Sequence, residues 1–242
     1  MDRFLPPGLF QRKNVAHKLE DLGPLYHTYR LFGIQNEQLP GIYQSNQACK
    51  EPVILSYILL ALAKCKADMS TVTTFAELFC ADGYYAMAAR HLGVTRSIGI
   101  DNNRDGHFTK ANLIAERLGI DNCTFIQMDV EGIENIESVD IVANVGGLYH
   151  VENPEVILEK SYALARKFLI VQTVVSLATE ADDYYESPAP GWNWGNRFSR
   201  GSFEKLIEKK AWNVVDRHFN ILEGNQRLED RGSVYFLIQK DS

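Results

Sequence analysis

An α/β fold built on a doubly wound, mostly parallel sheet is the architecture the sequence predicts, and three observations carry that expectation. From Val72 to Val175, short apolar runs alternate with amphipathic segments of helical period. Repeated strand–helix–strand units need right-handed crossovers, which place helices on both faces of a parallel sheet. After residue 210 the alternation stops, and two strand-like segments, Asn213–Leu222 and Ser233–Lys240, are joined by a turn-rich link too short for a crossover helix. Those two therefore read as an antiparallel hairpin. Finally, the 242-residue chain is 45% hydrophobic and 23% charged, ordinary for a globular protein. A chain of this size buries roughly 70–75% of the surface it exposes when unfolded, so it needs no disulfide or metal staple.

The elements follow in order. Residues 1–50 are irregular, punctuated by Pro6-Pro7, Gly23-Pro24 and Pro40-Gly41 with aromatics between. They read as an amino-terminal extension that caps a core domain of residues 51–242. Pro52 suits a first helical turn, which predicts a helix from Pro52 to about Lys66. Strands are expected at Val72–Phe79, Ser97–Asp101, Thr124–Met128, Val139–Val145 and Phe168–Val175. Between them the pattern predicts helices at Tyr84–Leu92, at Phe108–Leu118 with Leu113, Ala115 and Leu118 on the apolar side, and at Pro154–Ala165. A loop from Thr179 to Gly201 and a helix over Ser202–Lys210 complete the domain.

Bulk properties narrow the function classes. The net charge of −6 argues against a broad nucleic-acid footprint, which needs a basic face. The amino terminus lacks the apolar core of a signal peptide, and the greasiest run, Val53 to Ala63, falls short of the ~20 residues that span a bilayer. A soluble, cytoplasmic protein is expected. None of Cys49, Cys65, Cys80 and Cys123 forms a C-x-x-C pair, so they read as reduced, buried thiols. No two histidines have a metal-ligand spacing such as H-x-x-x-H, and no metal is expected.

The chemistry concentrates at strand ends. In Glu77-Leu78-Phe79-Cys80-Ala81-Asp82-Gly83 a strand closes, a tight turn passes and a helix starts at once. Ligands of open α/β sheets bind outside the carboxyl ends of strands, where the strand order reverses. Gly83 permits positive φ and close approach of backbone to a ligand. Asp101 closes the next strand, placed to accept hydrogen bonds from both hydroxyls of a ribose. The third strand ends in Asp129-Val130, a carboxylate for an adenine amino group beside an apolar contact for its ring. Strand-end acids also serve as plain helix caps, and that alternative stands beside the ligand reading.

Glu77 through Gly83 resembles motif I of class I, Rossmann-like, S-adenosylmethionine-dependent methyltransferases, usually an acid followed by three alternating glycines. Asp101 and Asp129 match that family's next two positions, and Asp140–Gly147 resembles its motif IV. Phe79 and Ala81 stand where the first two glycines belong, which leaves the path of the turn open. The resemblance covers about residues 52–240 and implies a seven-stranded sheet ending in the hairpin. Gly147-Leu148-Tyr149-His150 with Pro154, and the Phe79–Tyr84 form of motif I, are similar to the bacterial relatives of enzymes that methylate wobble uridine in transfer RNA.

The resemblance implies S-adenosyl-L-methionine as cofactor. Glu77 would help hold the methionine ammonium, and Phe79, Cys80, Ala81, Asp82 and Gly83 would line the methionine portion. Asp101, with Asn102 beside it, would take the ribose, and Asp129 and Val130 the adenine. Carbonyls near Asn144 and Gly146 would also meet the ammonium. His150, just past the fourth strand, is the candidate base, with Tyr149 beside it. Trp192, Trp194 and Arg197 lie in a loop between glycines, suited to a lid that stacks on a flat acceptor or grips an anionic one. With the aromatics Phe4, Phe10, Tyr26 and Tyr29 this lid would enclose the acceptor; a packing cover over the core is the alternative.

Three functions are compatible with these residues. The leading one is methyl transfer to oxygen or nitrogen of a small molecule. A transfer-RNA methyltransferase is the second, with the acidic balance against it. The third is a cofactor-binding regulatory protein without transfer activity, supported by the missing glycines. A nicotinamide dehydrogenase is disfavoured because the sequence has neither G-x-G-x-x-G nor a tyrosine with a lysine four residues on.

Overall fold

Five parallel strands form the body of the sheet, and burial on both faces explains why its inner members read as continuous apolar runs. In the computed structural model, which describes residues 19–67 and 72–240, these are β1 (Thr74–Leu78), β2 (Arg96–Asp101), β3 (Cys123–Gln127), β4 (Val139–Val145) and β5 (Ala165–Ser176). Their spatial order is β3-β2-β1-β4-β5, so the strand order reverses between β1 and β4. Every residue of β1 and β4 is buried.

The expected hairpin is present. β8 (Asn213–Ile221) and β9 (Gly232–Gln239) pair antiparallel, and β9 lies antiparallel against β5. Seven strands thus make the main sheet. Two short strands, β6 (Tyr185–Glu186) and β7 (Arg197–Ser199), extend it past the end of β4, where β7 pairs with Val175 and Ser176. The segment expected as a plain loop from Thr179 to Gly201 therefore contains sheet. Both strands are too short for a period-2 pattern to reveal.

Helices cover both faces, as crossovers of one hand require. α1 (Tyr43–Ala67), α2 (Tyr84–His91) and α3 (Ala111–Leu118) pack on one side, where Ile54, Ile58, Tyr84 and Ile114 meet Phe75, Ile141 and Phe168. α4 (Pro154–Leu164) and α5 (Arg200–Lys209) pack on the other, where Ile157, Leu158 and Phe203 meet Ala76, Leu78, Val142 and Phe236. Alternate residues of β1 enter opposite cores, as the pleat dictates.

Two helix readings need correction. α1 begins at Tyr43, a long way before Pro52, which sits inside the helix on its exposed side. The proline leaves the Ala48 carbonyl without its helical donor, on a side of the helix that faces solvent. Separately, the Asn220 side chain donates to the Cys49 carbonyl at 2.8 Å and ties α1 to β8. On α3, Leu113 is exposed, and the buried face is Ala111, Ile114 and Ala115 with Leu118 packed beside it. That face follows the i, i+3, i+4 stripe counted from Ala111. The four cysteines are free as expected, with Cys65 and Cys80 buried and Cys49 and Cys123 only partly so.

Ahead of α1, Leu19, Leu25, Tyr29 and Ile34 are buried in the α1–α2 core. The chain from Leu25 to Leu39 doubles back on itself through Leu25 N–H to the Glu37 carbonyl and Leu39 N–H to the Leu25 carbonyl. Phe4 and Phe10, expected near the lid, lie outside the described residues. No described helix is long and apolar enough to cross a membrane.

At the end of the sheet remote from the strand tips, Asp140 accepts from the Thr74 N–H (2.8 Å) and hydroxyl (2.9 Å) and from Arg166 (3.2 Å), tying the starts of β1, β4 and β5 together. Burial alone would raise its carboxyl. The Thr74 N–H, the Arg166 guanidinium and the Thr74 hydroxyl outweigh that and leave it below the ordinary carboxylate value. A carboxylate depressed by folding adds stability above its unfolded pKa and loses it as pH falls through the folded one. Asp140→Asn is therefore expected to cost about 1–3 kcal/mol at pH 7 in urea unfolding. The gap to the wild type should close as pH drops below about 4.

Candidate active site

The turn from β1 into α2 settles how the chain passes beneath the strand tips. Phe79 (φ 60°), Ala81 (φ 48°) and Gly83 (φ 84°) all adopt left-handed backbone. These are the three positions where the motif expects glycine, so the glycine-type path persists with two side chains on it. Left-handed backbone costs an L-residue roughly 1–2 kcal/mol, and the surroundings hold it in place. The Cys80 N–H donates to the Ile100 carbonyl at 3.0 Å and the Ala81 N–H to Asp101 Oδ2 at 3.0 Å. Glu77 Oε2 accepts the Ala86 N–H at 2.7 Å, fastening the first turn of α2.

Neighbouring glycines make room for the rings. A Cβ on Gly147 would fall within the Phe79 ring, and one on Gly83 or Gly99 would collide with the ring of Phe125. The Gly147 backbone (φ −132°) is accessible to any residue, so there the requirement is purely steric.

Two cavities open above this turn. The smaller, about 300 Å³, is lined by Ala81, Asp101, Asn102, Asp129, Val130 and Trp194, among others. Asp101 spends one lone pair of each oxygen on backbone, Oδ2 on Ala81 and Oδ1 on the Asn103 N–H at 2.7 Å. Each oxygen retains another. Asn102 Nδ2 donates to Asp129 Oδ1 at 2.9 Å, and Asp129 makes no side-chain cap to the 3-10 turn that follows it. The capping alternative does not account for Asp129.

The larger cavity, about 640 Å³, is lined by His27, Lys50, Glu77, Tyr85, Tyr149 and Arg197, with the 224–227 turn at its rim. Six residues line both spaces, among them Tyr26, Phe79, Gly146 and His150, and these form the threshold between the two. Gly146 has open space where a Cβ would stand. Its N–H donates to Gln172 Oε1 at 2.9 Å.

Charge is unevenly distributed around this threshold. Burial pushes the Glu77 carboxyl well above its ordinary value, with Asp82 and Asp101 adding to the effect. His150 is solvent-exposed at the cavity mouth, and desolvation by the surrounding wall together with the cations Arg197, Lys50 and Arg104 pushes its pKa down, to about 3. It is therefore a neutral imidazole of low basicity. Its ring stacks on Trp194 (4.8 Å) and tilts against Tyr149 (4.1 Å). Burial lowers the Lys50 ammonium to about 8, and no described carboxylate pairs with it.

The segment expected as a lid is fastened down. Asn196 donates from Nδ2 to the Leu148 and Val151 carbonyls, both at 2.8 Å, and its N–H meets the Tyr149 carbonyl at 3.0 Å. Arg197 is buried and bound to Asp230 at 2.6 Å, with its guanidinium over the Tyr149 ring. Close packing explains Gly195, where a Cβ would strike the Tyr149 carbonyl oxygen. Trp192 remains exposed at the rim of the larger cavity.

Most of the predicted site residues meet here. Glu77, Phe79, Ala81, Asp101, Asn102, Asp129, Val130, Gly146, Tyr149, His150, Trp192, Trp194 and Arg197 all line one or both cavities. Trp194 borders the smaller one instead of the larger. Cys80, Asp82 and Gly83 build the turn from below. The Asn144 side chain turns away to Ser161 of α4 at 2.8 Å. His27, Gln47 and Lys50 went unread, although His27 lies within the aromatic run Tyr26–Tyr29 that drew notice.

The steric lock between Phe79 and Gly147 gives a direct test. Gly147→Ala is expected to destabilise the protein by about 1–3 kcal/mol in chemical denaturation, as overpacking does. In a Phe79→Gly background the same change should cost at least about 1 kcal/mol less, the coupling of two groups in contact.

Comparison with known proteins agrees with this architecture. The sequence profile of a family described as methyltransferase domain matches residues 70–220. No curated protein sequence matches the chain. Among solved structures, it is similar to the magnesium protoporphyrin IX methyltransferase ChlM from Synechocystis PCC 6803 with bound SAH (TM-score 0.59, 13% identity, covering 88% of this chain and 93% of that one). It is also similar to the N-terminal domain of EvdMO1 with SAH bound (0.54, 19%, 76% and 81%). A third similar structure is coclaurine N-methyltransferase bound to N-methylheliamine and SAH (0.56, 12%, 76% and 72%). At these identities the likenesses speak for the fold. The profile match runs from just before β1 into β8, across every strand tip that borders the two cavities, and the chain belongs to the methyltransferase-domain family.

Proposed function

We propose that the chain transfers a methyl group from S-adenosylmethionine to an oxygen or nitrogen of a small-molecule acceptor. The joined cavities carry this reading. One is bordered by the β2- and β3-tip acids; the other is roughly the size of a small-ligand site, with a mixed polar and aromatic wall. The donor is the one named with the similar structures, whose SAH is S-adenosylhomocysteine, the demethylated product.

The residues present fit such a donor. Asp101 has lone pairs left for two ribose hydroxyls, and Asp129 and Val130 border the place for adenine. Open space at Gly146 and the buried floor at Glu77 leave a path for the methionine part across the threshold, with the Gly146 backbone and Glu77 to meet its ammonium. When bound, the donor supplies a methyl on a positively charged sulfur that is displaced in line. The protein's task is chiefly to align acceptor and methyl and exclude water, which supplies ~7–11 kcal/mol in well-oriented models. Tyr149, Trp192 and Arg197 shape the acceptor side, and Trp194 and Arg104 close the donor side. His150, neutral and stacked, orients groups at the threshold.

The small acceptor is favoured over transfer RNA by the cover over the larger cavity. Asn196 and Arg197 hold the loop before β7 to the 148–151 turn, and a polynucleotide would need that cover opened. The reading without activity rested on the missing glycines, and the left-handed backbone at Phe79 and Ala81 removes that support. The test uses donor labelled in its methyl group, incubated with the protein and either a panel of phenols, sugars, carboxylic acids and amines or bulk transfer RNA. Label is expected in a small-molecule product. Label in the RNA with none in the panel would contradict the proposal.

A further inference from the structure

His27 and Asp82 form an acid–imidazole pair on the wall of the larger cavity. His27 Nδ1 lies 2.5 Å from Asp82 Oδ1, and the His27 backbone N–H donates to Asp82 Oδ2 at 3.0 Å. Both carboxylate oxygens are thus turned to one residue. A carboxylate so placed accepts a proton-bearing Nδ1, which leaves the lone pair on Nε2. Among the described residues, Nε2 has no hydrogen-bond partner, and the side chain retains 10% exposure on the cavity.

The ring is held from several sides. It stacks on Tyr84 (5.0 Å, 25°) and meets Tyr26 and Tyr85 edge-on. The Tyr29 hydroxyl donates to the Asp82 carbonyl at 3.0 Å, and Asn36 Nδ2 donates to the His27 carbonyl at 2.9 Å. The groups that face the ring are therefore one carboxylate and three phenols. His150, by contrast, has Arg197, Lys50 and Arg104 about it.

We propose that His27, positioned by Asp82, is the general base that takes the acceptor's proton; this rests on the methyl-transfer reading above. As the bond from acceptor oxygen or nitrogen to the methyl carbon forms, the methyl–sulfur bond breaks and its electron pair stays on sulfur, giving a neutral thioether. The acceptor's proton passes to His27 Nε2. The imidazolium that results sits against the Asp82 charge and returns its proton to solvent after product leaves. An amino-terminal segment thereby completes a site otherwise built from strand tips.

The experiment compares the wild type with His27→Gln and Asp82→Asn. For His27→Gln, calorimetry is expected to show S-adenosylhomocysteine affinity within threefold of wild type. Turnover on whichever panel acceptor is methylated should fall at least 100-fold, within the usual range for a lost base. Imidazole 15N spectra of the product complex need no acceptor: His27 should appear as the Nδ1–H tautomer with a bare Nε2, and Asp82→Asn should mix the tautomers. Three results overturn the proposal: unchanged turnover in His27→Gln, an Nε2–H tautomer in the wild type, or a tenfold loss of S-adenosylhomocysteine affinity with methylthioadenosine unaffected. The last would make His27 a ligand of the donor's carboxylate. A wild type that binds neither nucleoside would sink the donor reading itself, and this proposal with it.

Discussion

The left-handed turn between β1 and α2 is the constraint on which the site depends. Phe79, Ala81 and Gly83 share one backbone sign, and two of them bear a side chain that opposes it. The strain is offset by partners reached from every side: Asp101 on β2's tip, the Ile100 carbonyl, and Glu77 capping the first turn of α2. Each partner has a second consequence. Because Asp101 fixes the turn, it faces the smaller cavity with lone pairs free; because Glu77 caps α2, it lies buried at the floor of the larger one. Phe79 demands the glycine at 147, and the ring so placed forms part of the threshold between the two spaces.

Electrostatics divide along the same line. Glu77, Asp82 and Asp101 crowd the turn, while Lys50, Arg104 and Arg197 surround His150. Burial makes these charges count, since fields act more strongly in a water-poor cleft than in solvent. Desolvation and the cations about it lower the basicity of His150, whereas the His27 imidazole has a carboxylate partner in Asp82.

Much of the scaffold was legible in the sequence because it depends on local pattern. The bounds of β4 are those expected, and the hairpin of β8 and β9 followed from the shortness of its link. Asp101 and Asp129 were legible because strand ends mark the ligand-bearing edge of any such sheet. What escaped depends on contacts between distant residues. Proline at 52 marks a helix start by local rule, yet α1 runs through it from Tyr43 because the proline lies on the solvent side of the helix. Leu113 fits an apolar stripe, and only docking decides which stripe is buried. Nothing in the composition of Phe79 or Ala81 announces positive φ. The pairing of His27 with Asp82 spans 55 residues and leaves no periodic trace.

A crystal structure with S-adenosylhomocysteine bound tests the central claim most directly. The account predicts adenine and ribose in the 300 Å³ cavity, both ribose hydroxyls within hydrogen-bond reach of Asp101, and the sulfur at the threshold beside Gly146. A nucleoside seated elsewhere, or an Asp101 carboxylate without contact to the ribose, would contradict it.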